Sequence, residues 1–330
     1  MIRQVNHCAH DWLISLTQQD DESELDLILI SAIQSVLFGT KLIIYINKFL
    51  DHTHRPKQIN LKKTQSPLIL SDDQVDEIIA KVGSNKIHIG EINSKTVTYF
   101  PIYHFGDVLG FVLAYGSNEF SNPQISTAVS ILNVYANQLF TLFRAKIDPL
   151  SELLNRQTFD KKIQEILSGQ GFLSPRTPIP ADSVWHLAML DIDHFKRVND
   201  QYGHVIGDEV IILIARLIKN SFRSEDYVFR YGGEEFAILF QCKKSEDAFQ
   251  VLERLRSAIE EFEFPQVGKL TISAGFTSLV DYEMVPALVQ KADLALYHSK
   301  NSGRNKVANF DQIAESTNGI LITGNDPELF

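Results

Sequence analysis

The chain has 330 residues, a formal net charge of −10, and 44% hydrophobic and 22% charged residues, enough for two domains of ordinary size with separate cores. The acidic balance argues against a broad nucleic-acid-binding face, so no nucleic acid is expected as a partner; one local basic cluster could still hold the phosphates of a small anion. Cys8 and Cys242 stand far apart and suggest neither a disulfide framework nor a zinc site, and no signal-peptide pattern or apolar run near the roughly 18 residues of a membrane span occurs, so a cytoplasmic protein without a membrane partner is expected.

Val5 to Thr17 places Trp12, Leu13 and Leu16 at helical spacing, and Leu25 to Leu37 repeats the pattern after an acidic break that supplies helix-start residues. Lys41 to Asn47 reads as a buried strand, and the polar stretch from Asp51 to Ser66 as loop and edge strand. Ser71-Asp72-Asp73 caps a short helix through Val82, and Thr96 to Phe105 turns at Gly106-Asp107 into the apolar run Val108 to Tyr115 as a hairpin. Ile125, Ala128, Leu132, Tyr135, Leu139 and Leu142 alternate three and four residues apart and line one stripe of a long helix over 121–147. Either a second copy of that helix or the domain's own sheet would bury the stripe. Residues 1–145 are thus expected to form a small α/β unit. Its hairpin and closing helix, FPIYHFGDVLGFVLAY and FSNPQISTAVSILNVYANQL, resemble the end of a GAF domain. The resemblance implies a sensory or dimerisation domain; without an assignable ligand cluster, pairing is the expected role and an unknown ligand the alternative.

Asp148-Pro149 interrupts the long helix and puts a domain boundary near residue 147. A helix to Leu167 precedes Gly169 to Ser183, whose three prolines and two glycines predict a loop without chemistry. Trp185 to Leu190 reads as a buried strand running into Asp191-Ile192-Asp193-His194-Phe195-Lys196. A helical region follows with Asn199, Asp208 and the apolar series Ile206, Val210, Leu213, Ile214 and Leu217. Carboxylates at a strand end, a loop with free N–H groups and a lysine after it can set a divalent metal beside a polyphosphate.

Tyr227-Val228-Phe229 and Phe236 to Phe240 read as strands joined through Gly232-Gly233, whose tolerance of positive φ suits a two-residue hairpin turn. Glu234 and Glu235 then put two carboxylates at a turn free of bulky side chains, open to a metal or a phosphate. A helix through Ala248, Leu252 and Leu255, a strand from Lys269 to Phe276 and a helix from Val285 to His298 complete the domain, with a polar tail over 311–330. The order β-α-α-β-β-α-β-α predicts an α/β (α+β) domain over 148–310, with an antiparallel-containing sheet and helices on one face, close to the ferredoxin-like arrangement.

Five separated motifs together resemble the GGDEF domain of diguanylate cyclases: Asp148-Pro149-Leu150-Ser151 through Asn155-Arg156, Asp191 to Lys196, Asn199-Asp200 through Asp208, Gly232-Gly233-Glu234-Glu235-Phe236, and Lys300 to Asn305. The resemblance implies a palm-type domain with a mostly antiparallel central sheet. It also implies an enzyme that condenses two GTP into cyclic di-GMP and two pyrophosphates, with two Mg²⁺ or Mn²⁺ ions per site. Asp191, the backbone carbonyl of Ile192 and Glu234 would be metal ligands, with Glu235 a further ligand or the base for the 3′-hydroxyl; one sequence does not apportion the roles of the two glutamates. Phe195, Lys196, His204, Lys300 and Arg304 match substrate-binding positions, Lys196, Lys300 and Arg304 gripping the terminal phosphates. Asn199 and Asp208 match the guanine readers, and a carboxylate accepting from guanine N1 and N2 suits rejection of adenine.

Arg223 and Asp226, in Arg223-Ser224-Glu225-Asp226, match the family's product-inhibition site together with Arg254. Arginine can both stack on guanine and pair with phosphate, which suits binding of cyclic di-GMP. Because each subunit would hold one GTP, a homodimer is implied. A catalytically silent relative that binds GTP or cyclic di-GMP and signals to a partner is the alternative, and the intact acidic signature speaks against it. A cyclase making cyclic AMP is a third reading, opposed by Asn199 and Asp208.

Overall fold

The computed structural model describes residues 9–47, 56–59, 70–83, 86–92, 95–115, 119–169, 183–279 and 284–316, and the chain divides into two compact units, 1–145 and 146–330. Cys8, most of the stretches 51–66 and 169–183 predicted as loops, and the tail beyond 316 lie outside the described residues. No helix among the described residues is long and apolar enough to cross a membrane.

The first unit opens with α1 (Ala9–Thr17) and α2 (Glu22–Val36). Asp21 supplies the predicted cap of α2, accepting from the N–H groups of Ser23 and Glu24 at 2.7 and 3.1 Å. A five-stranded sheet follows in the order β2-β1-β5-β4-β3, every neighbour antiparallel, from β1 (Lys41–Ile46), β2 (Lys57–Gln58), β3 (His88–Ile92), β4 (Lys95–His104) and β5 (Asp107–Tyr115). Strand alternation sorts its residues between two cores. Leu42, Ile44 and Ile46 share one with α1, α2 and α4 (Asn122–Arg144), while Ile43 and Tyr45 share the other with α3 (Asp72–Val82). Ser71 begins α3 with a capping box to Gln74, as predicted.

Two local expectations shift. The β4–β5 turn sits at Phe105-Gly106 rather than Gly106-Asp107, because both central residues take positive φ, 42° and 108°, and Asp107 already pairs with His104. The stripe on α4 is covered within its own unit: Ala128, Leu132, Tyr135, Leu139 and Leu142 are buried in the core shared with α1, α2 and β4. Tyr135 even spends its hydroxyl there, donating to the buried Asp26 at 2.7 Å. Of the two readings of the stripe, packing on the domain's own sheet is the one realised.

The second unit carries a six-stranded sheet in the order β11-β10-β7-β9-β8-β6. Its strands are β6 (Leu154–Asn155), β7 (Val184–Ile192), β8 (Tyr227–Arg230), β9 (Glu235–Cys242), β10 (Ile272–Ser278) and β11 (Val307–Asn309). The four inner strands are antiparallel and the two edge pairs parallel. Helices cover both faces, not one as the element order suggested. Leu190, Ile192, Phe236, Ile238 and Phe276 face α6 (Phe195–Tyr202), α7 (His204–Ser221) and α8 (Ser245–Glu261). Leu187, Met189, Ala237 and Leu239 face α5 (Arg156–Leu167) and α9 (Val285–Asn301). A sheet buried on both faces needs continuous apolar runs, which is what 187–190 and 236–240 are. The edge strands β6 and β11 are too short for periodicity to show, and α10 (Phe310–Ser316) lies where a polar tail was expected.

Candidate active site

The site grows from the end of β7. Pairing sets Asp191 directly opposite Glu235 on β9 and Ser273 on β10, so a 6% exposed carboxylate stands at the centre of the sheet with a second beside it. The backbone joins them as well, Ile192 N–H donating to the Glu234 carbonyl at 3.4 Å.

The loop Tyr231–Glu234 connects β8 to β9, and Arg230 holds its shape. Arg230 Nε and Nη2 donate to the Gly233 carbonyl at 3.2 and 2.8 Å, and Nη1 pairs with Asp148 at 3.0 Å. Burial pushes the Asp148 carboxyl up, but donors from Ser151 and Arg230 outweigh it and hold it below its ordinary value. On the other side Tyr231 packs against Phe159 at 5.2 Å, under the Arg156 guanidinium at 4.5 Å. Neither glycine takes the expected positive φ. At Gly232 a Cβ would fall 2.5 Å from a Glu235 carboxylate oxygen, and above Gly233 no atom lies within 4 Å. Positive φ is therefore not what either glycine supplies; at Gly232 the missing side chain leaves room for the Glu235 carboxylate, and at Gly233 it leaves the space above the turn open.

Lys300, in the last turn of α9, reaches Asp191 at 2.8 Å. Burial raises the Asp191 pKa, with Lys300 pulling it down and Glu235 and Asp193 pushing it up. Burial also raises Glu234, and the Asp191 charge adds to it. Asp293, on α9 and absent from the sequence reading, is pushed up to about 6 by burial and by Glu235. These are hard oxygen donors suited to Mg²⁺ or Mn²⁺, crowded enough that a cation would relieve them, so the residues fit such an ion. Among the described residues no three His, Cys, Asp or Glu side chains already form a metal cage; the cation on Asp191 is the Lys300 ammonium.

The other predicted residues flank this centre in the sequence of the fold. Phe195 is 5% exposed and part of the core, so only its main chain, at the start of α6, is left to meet a ligand. Lys196 is exposed in the first turn of α6, and His204 and Asp208 are exposed in the first two turns of α7. Asn199 lies against Gly207, the residue before Asp208, where a Cβ would stand 2.0 Å from Asn199 Oδ1, so glycine there leaves the Asn199 side chain its place between α6 and α7. Arg304 is exposed in the turn after α9.

A separate group forms at the far end of α7. Asp226 accepts from the N–H of Arg223 at 3.0 Å and of Gln241 at 3.3 Å, so its carboxylate shapes the turn, and the Arg223 side chain is exposed. Arg254 on α8 donates to the Ser221 carbonyl at 3.4 Å, at the last residue of α7 and two residues before Arg223, which lies in the turn that follows.

The family model described as "Diguanylate cyclase, GGDEF domain" matches residues 145–306. The chain is 38% identical over 167 residues to diguanylate cyclase DgcP of Pseudomonas aeruginosa, a match covering 50% of this chain and 24% of that protein. It is 31% identical over 244 residues to diguanylate cyclase A of Treponema denticola, covering 70% and 64%. The chain thus spans less than two thirds of the length of these curated relatives. Among solved structures, the coiled coil and GGDEF domain of DgcB from Caulobacter crescentus, in complex with c-di-GMP, aligns with a TM-score of 0.50 at 28% identity, covering 56% of this chain and 95% of that one. With the signature turn, the strand-end aspartate and the α9 lysine brought together as described, the second unit is a GGDEF domain of the diguanylate cyclase family.

Proposed function

We propose that the protein is a diguanylate cyclase, condensing two GTP into cyclic di-GMP and two pyrophosphates. The observation that carries it is the convergence of Asp191, Glu234 and Glu235 with Lys300, brought from 109 positions beyond Asp191 onto the same carboxylate. Enzymes of this family depend on a metal, and Mg²⁺ or Mn²⁺, two per site, would neutralise triphosphate charge between Asp191, the Ile192 carbonyl, Glu234 and Glu235.

For its part the protein binds and orients. Lys300, released from Asp191, joins Lys196 and Arg304 on the terminal phosphates, while Asp208 accepts from guanine N1 and N2 and the Asn199 amide pairs with the guanine edge. A carboxylate oxygen of Glu235 or Glu234 takes the 3′-hydroxyl proton. Each site holds one GTP, so two subunits face each other to align both 3′-hydroxyls with the opposite α-phosphates. The first unit is the regulatory part, GAF-like in this proposal; its five-stranded antiparallel sheet with helices on both faces supports that assignment.

Incubating the protein with GTP and Mg²⁺ is expected to yield cyclic di-GMP by chromatography and mass spectrometry. No product at high protein concentration, with no nucleotide carried through purification, would sink the proposal. Arg223, Asp226 and Arg254 form the product-inhibition site in this account. Arg223→Ala is expected to leave the initial rate unchanged and to raise the cyclic di-GMP concentration for half-inhibition by roughly tenfold, the scale of one charged hydrogen bond. Equal inhibition of both proteins removes the site from the account.

A further inference from the structure

Asp193 is 3% exposed, and nothing in the mechanism above uses it. Its Oδ2 accepts from Thr271 Oγ1 at 2.6 Å and from the main-chain N–H of Asn305 at 2.9 Å; its Oδ1 accepts from Ser273 Oγ at 2.7 Å. Its own N–H donates to the Thr271 carbonyl at 2.9 Å. A carboxylate this deeply buried persists only when its oxygens are satisfied. The backbone of Asn305 is therefore tied to the residue that follows Asp191 and Ile192.

Asn305 is gripped from the opposite side too. Its Oδ1 accepts from Arg256 Nη1 at 2.6 Å, and its Nδ2 donates to Glu260 Oε1 at 2.7 Å. Arg256 is itself fixed on α8 by Glu253 at 2.7 Å and Glu260 at 2.6 Å. The segment so held is one that does not hold itself. Gly303, Arg304 and Asn305 have φ of 109°, 61° and 50°, three successive residues in the left-handed region, which non-glycine residues keep only when their surroundings impose it. The Arg304 N–H closes α9 by donating to the Ser299 carbonyl at 3.1 Å, and its side chain is exposed.

We infer that Asn305 is a positioning residue for the phosphate grip. Its side-chain fork to Arg256 and Glu260 keeps the left-handed turn that fixes where Arg304 leaves the backbone. Its N–H locks that turn, through Asp193, to the strand end bearing Asp191. This rests on the proposal that Arg304 meets GTP phosphates. When the fork is lost, the Arg304 guanidinium samples positions away from the phosphates while the carboxylates stay in place, so substrate binding suffers more than turnover.

The test uses the full chain and three variants. Asn305→Asp keeps the acceptor for Arg256 but sets a carboxylate against Glu260. Asn305→Asp combined with Glu260→Gln restores the contact with donor and acceptor exchanged. Asn305→Gly keeps the positive φ and the N–H to Asp193 while removing the fork. The two single variants are expected to raise KM for GTP about tenfold, the scale of one charged hydrogen bond, with kcat changed much less, and the double variant to recover most of the KM. A wild-type KM in both single variants overturns the inference, as does a parallel loss in kcat that the second substitution does not repair. An unaltered protein that makes no cyclic di-GMP overturns the functional proposal and this inference with it, whereas the preceding outcomes, seen with an active wild type, overturn the inference alone.

Discussion

Glu234→Ala is expected to lower cyclic di-GMP formation at least 10²- to 10³-fold, roughly the loss seen when one preorganised electrostatic group is removed from an active site. The fold should be untouched. Glu234 is half-buried in the loop between β8 and β9, contributes no apolar area to either core, and has its pKa raised by burial and by the Asp191 charge. Removing it relieves crowding among carboxylates instead of opening a cavity, so unfolding should shift by no more than about 0.5 kcal/mol. Gly233→Ala makes the complementary case. Beyond its two chain neighbours no protein atom lies within 4 Å of the added Cβ, so its melting temperature should be unchanged, and any rise in KM for GTP reports a ligand in the space above the turn. Full activity of Glu234→Ala in a GTP turnover assay removes the carboxylate from the chemistry.

Gly275→Ala should have the opposite profile, a loss of stability first and of activity only as a consequence. Gly275 lies on β10, where α9 crosses so closely that a Cβ would stand 1.9 Å from the Leu296 nitrogen and 2.4 Å from the Ala292 oxygen and the Ala295 carbonyl carbon. Those are backbone atoms, and no rotamer change moves them aside. Overpacking a core commonly costs about 1–3 kcal/mol, and with a rigid helix as the obstacle the upper end or more is expected. At roughly 2–4 °C per kcal/mol for a unit of this size, the transition of the second unit should fall by about 6–12 °C in calorimetry. The displacement of α9 would also carry Lys300 away from Asp191. An unchanged transition would mean that β10 and α9 approach less closely than described.

Much of this could be read from local pattern. The run Leu187 to Leu190 was legible as a buried strand because consecutive apolar residues suit a sheet covered on both faces. The helices were legible from the period of their apolar positions, as with Ala248, Leu252 and Leu255. The two glycines of the signature were legible as a turn but not as what they are for. Freedom of φ and clearance for a side chain both call for glycine, and a sequence does not distinguish them. The α4 stripe had two compatible partners, and only the arrangement of α1, α2 and β4 chose between them.

By itself, then, the sequence determined most of the inventory: two units, their longer helices and strands, and a set of carboxylates, amides and basic groups whose spacing matches one family. It did so because helix and strand periods and turn chemistry act within a few residues. The tertiary structure decided which of those groups meet. Asp191 faces Glu235 because β7 and β9 pair in one register and not the next, which would send every side chain to the other face. Lys300 reaches Asp191 because Gly275 lets α9 approach the sheet, and Asn305 is held because a buried Asp193 must find donors wherever the fold provides them. Such contacts join positions far apart in the chain, and no local preference encodes them.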